Sequence, residues 1–354
     1  MENSNIQTKK ISDSKLIKNI KKCAGTIFAL ISASILAYFC LCDNNLINLI
    51  NIIPELNMFW IIIAFCSLCL YWISESLIVK EITKLLCYRK YPKLFFFKIA
   101  LIGQYFNSIT PLGIAGQPMQ ILELCKNSIP KSTAILITTR KFFVYQSCLN
   151  LYSIICGIFY YGTMKVNCPE IIWMMWIGLI CQCFFIFLIL IFSINKNIIL
   201  KTSEFIIYIL YKLKLIKNQN AIAQSIENNL TSFIQNNKIL SKNKKTNIKI
   251  YLLTFLQITF LFMIPFFVFK SFNHDSFPII QIICAQSTIN TISSFNPFPG
   301  AAGTAEKSFV TLFSVFFTIQ EIGKAMLLSR FISCYFTILV GTVCSKLIFK
   351  NNKN

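Results

Sequence analysis

The sequence predicts an all-α polytopic membrane protein: six full spans plus two opposed re-entrant helical hairpins in an inverted repeat, about eight apolar segments, with both termini cytoplasmic. Three observations predict it. Of 354 residues, 55% are hydrophobic and only 13% charged, where a soluble domain carries about 25% charged residues. Several apolar runs exceed the roughly 18–20 residues needed to cross about 30 Å of hydrocarbon. Finally, the lysines gather between those runs, as cytoplasmic loops require under the positive-inside rule. This pattern excludes a disordered chain, a collagen-like chain and an ordinary soluble enzyme.

The elements follow in order. Residues 1–23 form a basic cytoplasmic N-terminus with Lys9, Lys10, Lys15, Lys18, Lys21 and Lys22. A run from Ala24 to Cys42 follows; it is longer than the 7–15 residues of a signal-peptide core, so it reads as a membrane anchor. The loop 43–57 has no Lys or Arg and carries Asp43 and Glu55, which places it outside. Further spans are expected at about 58–79, 142–162, 170–193, 249–269 and 325–346. Residues 24–348 thus make one transmembrane domain with a cytoplasmic helical insert at 194–248, and 349–354 are a basic tail. Within the insert, Ile222, Ile226, Leu230, Phe233 and Ile234 recur at helical spacing, and 204–217 has the pattern of a helix lying in the membrane plane.

Two apolar stretches, roughly 94–125 and 278–320, are interrupted near their centres. The first contains Pro111-Leu-Gly113-Ile-Ala-Gly116-Gln-Pro118, the second Pro297-Phe-Pro299-Gly300-Ala-Ala-Gly303. Proline removes a backbone donor and clashes with the preceding turn, while glycine reaches conformations other residues avoid. Flanking charge (Lys93, Lys126 and Lys131) makes the first stretch enter and leave on the inside, and the flanking spans make the second begin and end outside. The two also resemble each other. Phe106-Asn107 precedes the first break and Phe295-Asn296 the second; Arg140 follows Pro111 by 29 residues and Arg330 follows Pro299 by 31. Hairpins of opposite orientation, each followed by an arginine-bearing span, form an inverted-topology repeat of the kind transporters use.

Irregular backbone at membrane depth is tolerated only where protein or water covers it, so the hairpins are expected to meet around an interior site. The returning half-helices begin near Gln117 and Thr304, and their N-termini favour an anion such as a phosphate. Arg140, Arg330 and Glu306, with Asn107, Asn296, Gln117 and Thr304, are therefore the candidate substrate-binding residues. Arg140 and Arg330 read as phosphate ligands or gate partners, and Glu75, Glu123 or Glu306 as counter-charges or proton carriers. The competing interpretation makes these groups snorkelling or structural pairs near the interface. Lys98 and Lys141 read as interface anchors.

The formal net charge of +21 does not point to nucleic acid, because the lysines lie in loops that face anionic lipid. Most of the 15 cysteines, such as Cys66, Cys69, Cys148 and Cys156, sit inside apolar runs and read as small hydrophobes. His274 is the only histidine, which leaves no basis for a His-rich metal site or a catalytic triad. No cofactor and no metal are expected.

The hairpin residues carry a family resemblance. Pro111-Leu-Gly-Ile-Ala-Gly116-Gln-Pro118 and Pro299-Gly300-Ala-Ala-Gly303-Thr-Ala-Glu306, followed by Arg140 and Arg330, resemble the motifs of the lysylphosphatidylglycerol synthase transmembrane, or flippase-like, family. Ala stands in each motif where that family often has Gly. The resemblance extends from about residue 20 to 348. In larger members this domain is implied to move aminoacylated phospholipid between leaflets while a separate soluble domain makes it, and no room for that soluble domain is expected here. The resemblance therefore implies a multi-pass protein of the cytoplasmic membrane that transports an anionic or aminoacylated phospholipid, or a lipid-linked intermediate, and is not an enzyme. The alternatives are a membrane-embedded lipid-modifying enzyme and a non-catalytic partner of a separate lipid synthase; a homo-oligomer is compatible with either.

Overall fold

A computed structural model describes residues 56–110, 113–194, 200, 219–274, 276–294, 296, 301 and 303–350. Among these the regular structure is all helix, with no strand. In order the helices are α1 (Met58–Leu86), α2 (Lys93–Ile109), α3 (Gly116–Lys126), α4 (Lys131–Asn167), α5 (Pro169–Ile194), α6 (Gln219–Lys242), α7 (Lys244–Phe262), α8 (Ile264–Ser271), α9 (Ile279–Ser293), α10 (Thr304–Phe313), α11 (Ile319–Arg330) and α12 (Phe336–Lys350). A π-helical segment, Phe331–Tyr335, joins α11 to α12.

Five described segments are long and apolar enough to cross a membrane: Met58–Leu86, Lys131–Asn167, Pro169–Ile191, Lys244–Ser271 and Ile319–Val343. They correspond to five of the six spans read from sequence. The run 24–42 lies outside the described residues, as do the N-terminus, the segment 204–217 and residues 351–354 of the tail. Proline and short polar side chains set the starts of these helices. Pro92, Pro130 and Pro278 precede α2, α4 and α9 in extended backbone. Pro169 opens α5, where its missing N–H costs nothing. Asn57 and Asn243 cap α1 and α7 by accepting from the N–H groups of Phe59 and Thr246. Inside the span expected at 249–269, Pro265 cannot continue the hydrogen-bond ladder, and the helix is broken at Met263 into α7 and α8.

The helices are apolar nearly all round, so polar residues rather than hydrophobic ones mark the inward faces. Glu75, Gln120, Thr138, Gln257, Ser287 and Thr291 are buried, whereas Phe59, Ile158, Phe159, Trp173 and Phe187 are exposed. A lipid-facing surface has this inside-out character because lipid tails solvate apolar side chains as well as a core does. α1 packs along α7 and α8, α4 along α5 and α9, and α12 along α2. Close approach depends on small residues: a Cβ at Gly341 would stand 2.5 Å from Tyr105 of α2, and one at Gly178 would stand 2.6 Å from the Thr291 carbonyl of α9. α6 packs on α4, with an Asn236–Thr133 hydrogen bond between them.

Candidate functional site

Both interrupted stretches fold as antiparallel helical hairpins. In the first, α2 and α3 are tied in steps from base to tip. Tyr91 donates to the Asn127 carbonyl, Lys98 pairs with Glu123 at 2.7 Å, Gln120 donates to the Ile99 carbonyl, and Asn107 Oδ1 accepts from the Gly116 N–H at 3.0 Å. Gly116 is required here because any Cβ would lie 2.5 Å from the Gly103 carbonyl. In the second hairpin the Phe277 and Phe316 rings meet at 5.0 Å at the base, and Asn296 Nδ2 donates to Thr304 Oγ1 at the tip. Each tip turns through a glycine in the left-handed region, Gly113 at φ 61° and Gly303 at φ 84°.

The hairpins open toward opposite ends of the bundle. The base of the first lies with the ends where Lys249 pairs with Glu81 and Arg140 meets Asn247. The base of the second lies with the ends where His274 meets Glu321 and the Asn57 N–H donates to the Ser271 carbonyl. The tips come together inside. A cavity of about 310 Å³ is lined by Asn107 of the first hairpin, by Ala301 and Ala305 of the second, and by Arg330, Ser333 and Thr337 around the π-helical segment. A second cavity of about 300 Å³ lies beside it, with Glu75, Lys141, Gln117 and Gly113 in its wall. Tyr71, Gln104, Asn107 and Asn290 belong to both walls.

Each cavity has one basic side chain in its wall, Arg330 or Lys141, and each of these is ion-paired. Arg330 Nη2 stands 2.9 Å from Glu306 Oε1, and Glu306 Oε2 accepts from the Gly303 N–H that opens α10. The anion expected at that helix N-terminus is thus supplied by the chain itself. In the neighbouring cavity Lys141 Nζ lies 2.5 Å from Glu75 Oε1 and 2.7 Å from Gln120 Oε1, with both charged side chains nearly out of solvent (12% and 2% exposed). Gln104 and Gln120 donate to the same carboxylate at 2.5 and 3.0 Å.

The structure places the sequence-predicted residues unevenly. Arg330 and Glu306 meet, and Asn107 and Gln117 line the cavities. Asn107, Asn296 and Thr304 brace the hairpin tips through the bonds above. Arg140 does not join them. Its Nη2 donates to Asn247 Oδ1 at 2.9 Å, its guanidinium lies 5.8 Å from the Phe143 ring centroid, and it lines neither cavity. A helix turns about 100° per residue, so the next residue, Lys141, takes the inward position, and its reading as an interface anchor is corrected accordingly. Pro118 does not break a hairpin either: it is the third residue of α3, in the first turn where a missing N–H is tolerated. Pro111, Pro297, Pro299 and Gly300 lie outside the described residues. Glu123 is held at the hairpin base by Lys98 and Lys126, not in a cavity.

Three features escaped the sequence reading. Lys141 was legible only through its burial partner Glu75, 66 residues away. Pro265, which shapes the wall with Leu261 and Ile264, carried a signal inside an expected span. The π-helical segment that turns Ser333 and Thr337 toward Arg330 had none.

Compared with known families, residues 26–341 match the sequence model described as the lysylphosphatidylglycerol synthase TM region. No curated protein gives a significant match.

Proposed function

The chain belongs to the lysylphosphatidylglycerol synthase TM region family, and from that premise we propose that it moves a lipid between the two leaflets of the cytoplasmic membrane. The cargo is an anionic or aminoacylated phospholipid, or a lipid-linked intermediate. One observation carries this reading: two helical hairpins from opposite ends of the bundle place their broken tips on one cavity whose wall also includes Arg330, itself paired with Glu306.

In this account the hairpins are re-entrant, six helices span the bilayer, and both termini are cytoplasmic. At 1.5 Å per residue, α2 is about 25 Å long and α9 about 22 Å, so each tip reaches deep into a bilayer core of about 30 Å without crossing it. A headgroup enters from one leaflet past one hairpin and leaves past the other. The guanidinium of Arg330 presents a planar fork to the phosphate as Glu306 turns aside, and Asn107, Gln117 and the hydroxyls of Ser333 and Thr337 replace water around the headgroup. The acyl tails stay in the lipid. No catalytic role is assigned to these residues; a separate synthase is a compatible partner.

Leaflet-resolved exchange of fluorescent phosphatidylglycerol in proteoliposomes tests the proposal. Exchange faster than in protein-free vesicles is expected, and rates equal to those of empty vesicles across a panel of anionic and aminoacylated lipids would refute it.

A further inference from the structure

We propose that Glu75 is the proton-coupling site of this transporter, a reading that rests on the transport function above and adds its energy source. An ionised carboxylate only accepts, and Glu75 is ringed by donors: Lys141 Nζ and Gln120 Nε2 on Oε1, and Gln104 Nε2 on Oε2. Both oxygens are engaged and the side chain is almost fully buried.

A proton added to either oxygen turns that atom into a donor facing a donor. The oxygens keep some capacity to accept, but the new O–H needs an acceptor of its own and the charge that strengthened all three bonds is gone, so the set weakens and rearranges. The acceptor at hand is an amide oxygen of Gln104 or Gln120, reached by turning that amide over. Lys141 keeps its own proton and its bond to Gln120 is disturbed in the same event. These glutamines stand on the two arms of one hairpin, Gln104 on α2 and Gln120 on α3, while Glu75 stands on α1 and Lys141 on α4. Charge on Glu75 therefore clips the first hairpin to the two long helices, and protonation loosens that clip.

The surroundings leave few competitors for the proton. Facing Glu75 are Tyr71 from its own helix, Lys141 and Tyr145 from α4, and from the other elements lining this cavity only Gly113 and the neutral amides of Gln104, Asn107, Gln117, Gln257 and Asn290. Arg330 faces the adjoining cavity, and Tyr71, Gln104, Asn107 and Asn290 form the wall common to both. A proton event at Glu75 is thus one shared wall away from the headgroup position.

The test uses the full chain in phosphatidylethanolamine–phosphatidylglycerol vesicles with a pH dye in the lumen and fluorescent phosphatidylglycerol as probe. For the wild type, an imposed pH gradient is expected to change the rate of lipid exchange, and exchange is expected to move protons read by the dye. Glu75→Gln is expected to lose the gradient response. Wild-type exchange that ignores the gradient and moves no protons would overturn the coupling and leave the transport reading intact. Vesicles that exchange no lipid under either condition would refute transport and this proposal together. The wild-type arm is decisive even where the variant fails to fold, and a Glu75→Gln protein that still responds to the gradient overturns the assignment.

Discussion

Removing one partner of the Glu75–Lys141 pair is predicted to destabilise the fold far more than removing both. The pair is 2.5 Å apart and nearly out of solvent. Leaving a buried charge without its partner costs about 3–5 kcal/mol, whereas replacing both charges by neutral groups is often near neutral. Lys141 retains some access to the cavity, so the lower end applies: about 3 kcal/mol for Glu75→Gln, which leaves the ammonium without a counter-charge and with the Gln120 amide oxygen as its remaining described partner. That is roughly two orders of magnitude in the folding equilibrium. Lys141→Gln strands the carboxylate but leaves it two amide donors, and about 2 kcal/mol is expected. For Glu75→Gln/Lys141→Gln the loss should fall below that of either single change, giving a coupling energy of more than about 3 kcal/mol. Unfolding of the purified protein in mixed detergent micelles, followed by circular dichroism, measures all three. Single changes costing under about 1 kcal/mol each, with the double equal to their sum, would refute the description of this pair as a buried, mutually dependent unit.

Three further predictions concern the hairpins and the cavity. Gly116→Ala forces a Cβ against the Gly103 carbonyl and Asn107 Oδ1; a loss of about 1–3 kcal/mol is expected in the same unfolding assay. Arg330→Lys removes the planar fork beside Glu306 and is predicted to slow lipid exchange by about tenfold or more, whereas Arg140→Lys, on α4 against Asn247 of α7, is predicted to stay within about twofold of wild type. Pro265→Ala restores a backbone donor toward Leu261 and is expected to straighten α7 into α8, raising thermal stability while slowing exchange, since Leu261, Ile264 and Pro265 shape the cavity wall.

The sequence exposes this fold where backbone chemistry is unusual. The glycines and prolines of 111–118 and 297–303 mark both hairpin breaks, and the described glycines Gly113 and Gly303 take up the left-handed backbone that those positions demand. Asn107 and Asn296, matched by their place before each break, turn out to be matched in structure, each reaching across its tip to the start of the returning helix. Side-chain direction is a different matter. In a helix apolar on every side, no hydrophobic face announces which residue points inward, so spacing from the proline aligned Arg140 with Arg330 when Lys141 is the inward group. One residue of error is a rotation of about 100°. The π-helical segment after Arg330 shifts the register of α12 and leaves no mark in composition. The length of α4, 37 residues where a 21-residue span was expected, comes from both ends: residues 131–141, which include Lys131, Arg140 and Lys141, and residues 163–167, which include Lys165 and Asn167, are helical although hydropathy alone discards them.

The central claim is that lipid headgroups enter the cavity between the two hairpin tips. Photo-crosslinking with a phospholipid carrying the reactive group on its headgroup, followed by peptide mapping, tests it directly. The account predicts labels on the cavity wall, at Asn107, Ser293, Ser333 and Thr337. Labels confined to the outer surface, such as Trp173, Trp176 and Phe184 of α5, with none on that wall, would contradict it.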